Sequence, residues 1–259
     1  MKCSKLCSII EGEYPLQLRE DYDNVGLLLG KYESNIEKVL VALEITPKVI
    51  DEAINCGVDI IVTHHPLIFK PLKKITDNGY IESMVIKLIE NKIALYSSHT
   101  NFDSSKNGMN DILADKIGLV NIKCLDSKGD TDEGIGRFGS LENSLSFKEL
   151  YTTIKEKFNL SRIIVSGSDE TSINKVAVVG GSGGDLIKLA MKKGCKCIIT
   201  GDVKHHAALD FSSQGMCIVD LTHYASEIIF KEHFSSFLKK NTDIEVIVSK
   251  VEENPLRIV

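Results

Sequence analysis

Val58-Asp59-Ile60-Ile61-Val62-Thr63-His64-His65-Pro66 is an apolar run that ends in two adjacent imidazoles and a proline. Its length and β-branched content are those of a buried strand. Pro66 removes a ladder donor, so the strand stops there. Two imidazoles at a strand's end are costly to bury without partners, and neutral imidazole is the commonest nitrogen ligand for divalent metals. An isolated His-His pair is more often two solvated side chains in a loop. Its surroundings decide between these readings.

Upstream, residues 39–43 read as a strand. Residues 47–56 read as a helix with Pro47 in its first turn and Gly57 at its end. With the histidine-bearing strand this makes a β-α-β unit. Downstream, a helix over 81–90 precedes a strand over 93–97, which runs into Ser98-His99-Thr100-Asn101-Phe102-Asp103. A helix over 109–116, closed by Gly118, completes the first half. At the N-terminus, Cys3, Leu6, Cys7 and Ile10 recur at helical spacing, and residues 23–30 form a turn into a short strand.

Residues 121–133 are polar and rich in Gly and Asp, and predict a connector with turns. Ser146 and Glu149 have capping-box spacing for a helix ending near Phe158, followed by a strand over 162–165 and a turn over 166–171. The first half then recurs. Residues 38–65 align without a gap on 175–202, matching Lys38/Lys175, Val39/Val176, Val41/Val178, Ile50/Ile187, Ala53/Ala190, Gly57/Gly194, Ile61/Ile198 and Thr63/Thr200. The sequel is repeated too: a strand over 217–221 ends in Thr222-His223-Tyr224-Ala225-Ser226-Glu227. A helix over 226–239 and a strand over 245–251 finish the chain, and the tail from 252 has no clear reading.

The expected fold is therefore α/β: two similar lobes from an internal β-α-β duplication, with mixed sheets flanked by helices and a metal site between the lobes. The lobes are expected over 1–125 and 126–259, the C-terminal strand joining either.

The chain has 259 residues, enough for one large or two modest domains. Its net charge of −5, without a basic run, argues against general nucleic-acid binding. No apolar stretch reaches the roughly 18 to 20 residues that span a bilayer. Glu11 and Glu13 interrupt the N-terminus before any secretory apolar region develops, so a cytoplasmic location is expected. Seven cysteines without a Cys-x-x-Cys motif, Cys195 and Cys197 sharing one strand face among them, suit reduced core thiols.

Ligand-type residues gather at equivalent places: His64 and His65, His99 and Asp103, Asp202 with His205 and His206, and His223 with Glu227. Six of the seven histidines follow a strand's C-terminus, the edge at which open α/β sheets bind ligands. A spacing of four lets His223 and Glu227 share one helix face. Three imidazoles and two carboxylates exceed the needs of one tetrahedral zinc. A carboxylate bridging two ions uses such a set better, as in two-metal hydrolases. Mixed nitrogen and oxygen donors suit zinc, manganese or iron alike.

Weaker signals accompany these. Gly180-Gly181-Ser182-Gly183-Gly184 could offer amides to a phosphate or serve a tight turn. His205 and His206 could be acid/base groups or surface residues on a helix. Asp23 and Asn24 shape a turn first and a pocket second. His233, among Phe230, Phe234 and Phe237, reads as structural.

Five ordered motifs, at 23–30 (DNVGLLLG), 63–69 (THHPLIF), 98–103 (SHTNFD), 200–206 (TGDVKHH) and 223–227 (HYASE), resemble those of the Nif-three-like family, also known as the type 2 GTP cyclohydrolase I family. The resemblance covers nearly the whole chain. It implies two divalent metal ions per chain, held by His64, His65, Asp103, His223 and Glu227, with Glu227 as the bridge. His99 matches a position near the metals and, with His206, is a candidate to pass protons. A ring-shaped homohexamer is also implied. Tyr22 stands where many members have Trp, and the middle domain that longer members insert is lacking. The expected function is metal-dependent hydrolysis of a nucleotide or related small molecule, GTP ring opening being the family's candidate reaction. The alternative is a non-catalytic metal-handling hexamer or adaptor.

Overall fold

The computed structural model describes residues 1–129 and 131–257. The chain divides into two compact units, Met1–Phe102 with the chain from Ile229 onward, and Asp103–Ile228.

The first unit opens with helix α1 (Cys3–Glu13) and strands β1 (Gly26–Leu29) and β2 (Lys38–Ala42). Helix α2 (Pro47–Cys56) follows, then β3 (Ile60–Thr63), α3 (Tyr80–Glu90), β4 (Ala94–Ser97) and the short α4 (Thr100–Ser104). Thr46 caps α2 by accepting from the Val49 amide. Gly57, at φ +60°, ends it in the left-handed conformation that glycine adopts without a Cβ penalty. The sheet order is β1-β4-β3-β2 with the C-terminal strand outside β2. Strand β3 is buried along its whole length, because helices cover both faces of a parallel centre; this is why it reads as a continuous apolar run. Since β2, β3 and β4 are parallel, His64, His65, Ser98 and His99 all follow the same sheet edge.

The second unit contains α5 (Met109–Ile117), β5 (Val120–Ser127), β6 (Gly134–Ser146), α6 (Phe147–Lys157), β7 (Ile164–Ser166) and β8 (Ser172–Ser182). Then come α7 (Ile187–Lys192), β9 (Cys197–Gly201), α8 (His205–Ser212), β10 (Cys217–Asp220) and α9 (His223–Glu227). Its sheet order is β5-β6-β8-β9-β10-β7, with parallel β8, β9 and β10 at its heart. The chain then returns to the first unit as α10 (Ile229–Asn241) and β11 (Glu245–Val248), the latter parallel to β2.

Both sheets are mixed and flanked by helices, and the aligned repeats fold alike: β2-α2-β3 corresponds to β8-α7-β9. The capping box at Ser146 and Glu149 is formed.

Several boundaries differ from expectation. The 121–133 stretch is largely strand: β5 pairs antiparallel with β6, and its solvent-facing residues gave it the polarity of a loop. That pairing commits residues from 120 onward to the second sheet; the compact units divide at 102/103, where the expectation was 125/126, and the C-terminal strand joins the first sheet. The expected helix over 226–239 is two helices, divided at Ile228. The strand expected over 162–165 covers Ile164–Ser166, and the last one stops at Val248. Cys195 precedes β9 instead of sharing its face with Cys197, although both are buried free thiols. No helix among the described residues is long and apolar enough to cross a membrane.

Candidate metal centre

In the first unit, His64 is fully buried at the end of β3, and its Nδ1 donates to the Ser98 carbonyl at 2.8 Å. His65 Nδ1 donates to Glu44 at 2.8 Å, and His99 Nδ1 donates to Asp23 Oδ1 at 2.9 Å. Carbonyl and carboxylate oxygens only accept, so each ring donates through Nδ1 and turns Nε2 away from that partner. This is how a protein orients imidazole toward a metal. One ring nitrogen from each of His64, His65 and His99 lies within 4.8 Å of the other two, so the group could hold an ion.

Asp23 does more than shape a turn. It also accepts from the Thr100 amide and hydroxyl, so one carboxylate ties His99 to the start of α4. Burial pushes the Asp23 carboxyl up. The hydrogen bond and charge of His99, with the two Thr100 donors, outweigh that and lower it to about 2.

In the second unit, His223 and Glu227 lie one turn apart on α9, with His223 Nε2 3.0 Å from Glu227 Oε2. His223 Nδ1 donates to Asp202 at 2.8 Å, so Asp202 orients the imidazole through the nitrogen opposite Glu227. Thr222, just before α9, adopts φ +74°, which is strained for a β-branched residue. Asp220 holds this geometry, accepting from the Thr222 amide at 2.7 Å and from the Val203 amide at 2.8 Å. Gly181, at φ +64°, leaves the space that Glu227 fills; a methyl group there would collide with the Glu227 carboxylate and lie 3.3 Å from His223. Asp103 is half-buried, and its backbone carbonyl accepts from Asn110 Nδ2 at 2.9 Å. Asn110 Oδ1 in turn accepts from the Gly180 amide at 2.9 Å. One buried amide thus braces both the Asp103 segment and the glycine turn beneath Glu227.

The duplication has diverged at these positions. The gapless alignment sets Glu44 against Gly181, His64 against Gly201 and His65 against Asp202. Gly201 admits no side chain, since a Cβ would sit 2.7 Å from the Gly181 carbonyl oxygen and the His223 amide nitrogen. The first unit therefore presents oriented imidazoles, and the second presents carboxylates around one oriented imidazole.

The glycine turn does not offer its amides to a phosphate. Gly180, Gly181 and Gly183 donate to Asn110, Ser226 and Thr200, which makes this a structural turn. His205 and His206 are exposed at the start of α8, their rings 5.4 Å apart, and neither joins the Asp202–His223–Glu227 set. His233 packs as a structural residue, with Nε2 3.1 Å from the Tyr14 hydroxyl and its ring 5.9 Å from Phe102. Sequence reasoning missed Glu44, Asn110 and Asp220 as orienting groups. For Glu44 and Asp220 a signal existed: each is an acid at or just beyond the C-terminal end of a parallel strand.

A family model described as Duf34/NIF3 (NGG1p interacting factor 3) matches residues 1–255. The chain belongs to the DUF34/NIF3 family. This DUF34/NIF3 chain is 38% identical to a Clostridium perfringens protein called GTP cyclohydrolase 1 type 2 homolog, over the whole of both chains. A Clostridium acetobutylicum protein of the same name is 36% identical, the match covering 99% of this chain and 98% of that one. Among solved structures, a Staphylococcus aureus hypothetical protein superposes with a TM-score of 0.93 at 29% identity, covering 100% and 99% of the two chains. Reduced HcgD from Methanocaldococcus jannaschii gives 0.85 at 36% identity, covering 96% and 97%. The fold is that of NIF3 proteins, and the chain carries the His and Glu groups that could hold a metal ion.

Proposed function

We propose that His64, His65, Asp103, His223 and Glu227 hold two divalent ions per chain, and that the protein is a metal-dependent hydrolase of a nucleotide or related small molecule. The observation that carries this reading is the uniform orientation of the imidazoles: His64, His65 and His223 each donate Nδ1 to a protein oxygen, which directs Nε2 toward an ion. Structural histidines have no need of that uniformity. Two such ions supply an activated water at neutral pH and polarise a substrate oxygen.

The chain's own residues supply the rest. Glu227, buried on α9 above Gly181, is the bridging carboxylate. His99 carries the proton-transfer role rather than His206, because His99 is clustered with His64 and His65 and is backed by Asp23, whereas His206 is exposed beside His205. Asp23 keeps the His99 proton on Nδ1 and stabilises the charged ring when Nε2 accepts a second proton. A ring-shaped homohexamer belongs to the same proposal; light scattering of the purified protein tests it.

The deciding experiment is elemental analysis of untagged protein, followed by GTP turnover in the same sample and in Glu227→Ala. About two metals per chain, with turnover lost in the variant, supports the hydrolase. Two metals without turnover favours metal handling. No metal after reconstitution overturns the proposal.

A further inference from the structure

Three consecutive residues, Tyr22, Asp23 and Asn24, dock on three different parts of the imidazole cluster. Asp23 holds His99 and Thr100. Asn24 Nδ2 donates to the Ile68 carbonyl at 2.6 Å, fixing the loop that follows His64 and His65. Tyr22 rests its ring against Phe69, with centroids 6.2 Å apart and planes at 59°. Phe69 in turn lies 6.3 Å from the His99 ring, at 80°. Yet these two aromatic rings remain open to solvent, Tyr22 at 66% and Phe69 at 39% exposure.

Single exposed apolar residues are ordinary. Two touching aromatic rings, built on the turn that orients His99, are not a scattered feature. The Asn24–Ile68 and Asp23–Thr100 bonds anchor the backbone that carries the two rings, so the platform is built on tied-down segments. Aromatic faces hold planar π-systems by stacking. The loop continues from Phe69 with the exposed Lys70, Lys73 and Lys74 in a chain of net charge −5. Cations on the loop that carries Phe69 favour an anionic occupant over a purely apolar one.

We infer that Tyr22 and Phe69 form a stacking platform that seats the planar heteroaromatic ring of an anionic substrate beside His99, and that this platform selects ring-bearing substrates. The inference rests on the hydrolase reading of the neighbouring imidazoles. It adds two residues that ligate nothing and whose work is to place the ring.

The chain contains no tryptophan, so Tyr22→Trp installs a single fluorescent reporter on the platform. Zinc-reconstituted Tyr22→Trp is titrated with GTP and, separately, with ribose 5-phosphate, and zinc content is measured in the same samples. Saturable quenching by GTP and none by ribose 5-phosphate is expected. Adding Phe69→Leu should weaken GTP binding at least tenfold with zinc unchanged, and Phe69→Tyr should restore it, which separates stacking from a folding defect. Zinc retained without GTP quenching, or quenching indifferent to Phe69→Leu, overturns the platform and leaves the metal reading standing. Absence of zinc overturns both.

Discussion

Asp202 Oδ2 accepts the Nδ1 proton of His223 at 2.8 Å, on the side of the ring opposite the Glu227 contact. Asp202 aligns with His65 of the first half, so a position that supplies an imidazole in one repeat supplies the orienting carboxylate in the other. Asp202→Ala should lower zinc affinity about 10- to 100-fold, the usual effect of losing an orienting partner, while circular dichroism stays unchanged. Competition with a chromophoric chelator measures this; unchanged affinity would show that Asp202 does not set the ring.

Gly181→Ala should be far more damaging than its size suggests. The position combines a left-handed backbone with a Cβ trajectory into the Glu227 carboxylate. Loss of bound metal is expected. Gly184→Ala is the matched control, since nothing lies within 4 Å of a Cβ there. Elemental analysis of the two variants side by side should show metal lost only in the first.

Asn110→Ala leaves the Gly180 amide and the Asp103 carbonyl without their buried partner. An unsatisfied buried group costs about 1–3 kcal/mol, so urea unfolding should show a loss of roughly 2–4 kcal/mol. Metal content should fall with it, because both carboxylate-bearing segments are loosened. A stable variant with normal affinity would assign Asn110 to neither task.

Asp23 predicts the acid behaviour of the metal-free protein. Its carboxyl is lowered to about 2 in the folded state against about 3.9 unfolded, so its stabilisation is complete above about pH 5 and is lost progressively as pH falls through about 2. That difference corresponds to about 2.6 kcal/mol. Asp23→Asn should lose that amount at pH 6 and show a shallower fall in stability between pH 4 and pH 2, measured by urea unfolding in the absence of metal. Parallel curves for the two proteins would remove Asp23 from the acid limb.

Much of this architecture was legible because its signals are local. The alternation of apolar strands with capped helices fixes β2-α2-β3, and Gly57 and Gly118 end their helices as glycine does after a last turn. The 38–65 and 175–202 alignment carried the second repeat with it. What escaped was non-local. Strand β5 lies at a sheet edge with much of its surface in water, so its polarity read as loop. The return of β11 to β2 joins residues more than two hundred positions apart, which no window of sequence reports. At the site, the strand ends pointed to His64, His65, His99, Asp103, His223 and Glu227 as candidates, but Glu44 and Asn110 act through partners that only the fold reveals. The glycine run was misleading in the opposite sense, since its amides are satisfied by side chains of residues 110, 200 and 226.

The glycines opposite Glu44 and His64 also make the divergence of the repeats hard to reverse. A histidine cannot be placed at position 201 by one substitution, because even its first carbon would strike the Gly181 carbonyl and the start of α9. Nor can an acid be placed at 181 while Glu227 occupies the space above it. Reversal would need concerted changes at the ends of β8 and β9 and at the start of α9, each harmful alone. Copying either half in tandem would give clustered imidazoles without the buried Glu227, or acids around a solitary oriented ring. The two aligned segments now carry different side chains around different backbones, and neither can stand in for the other.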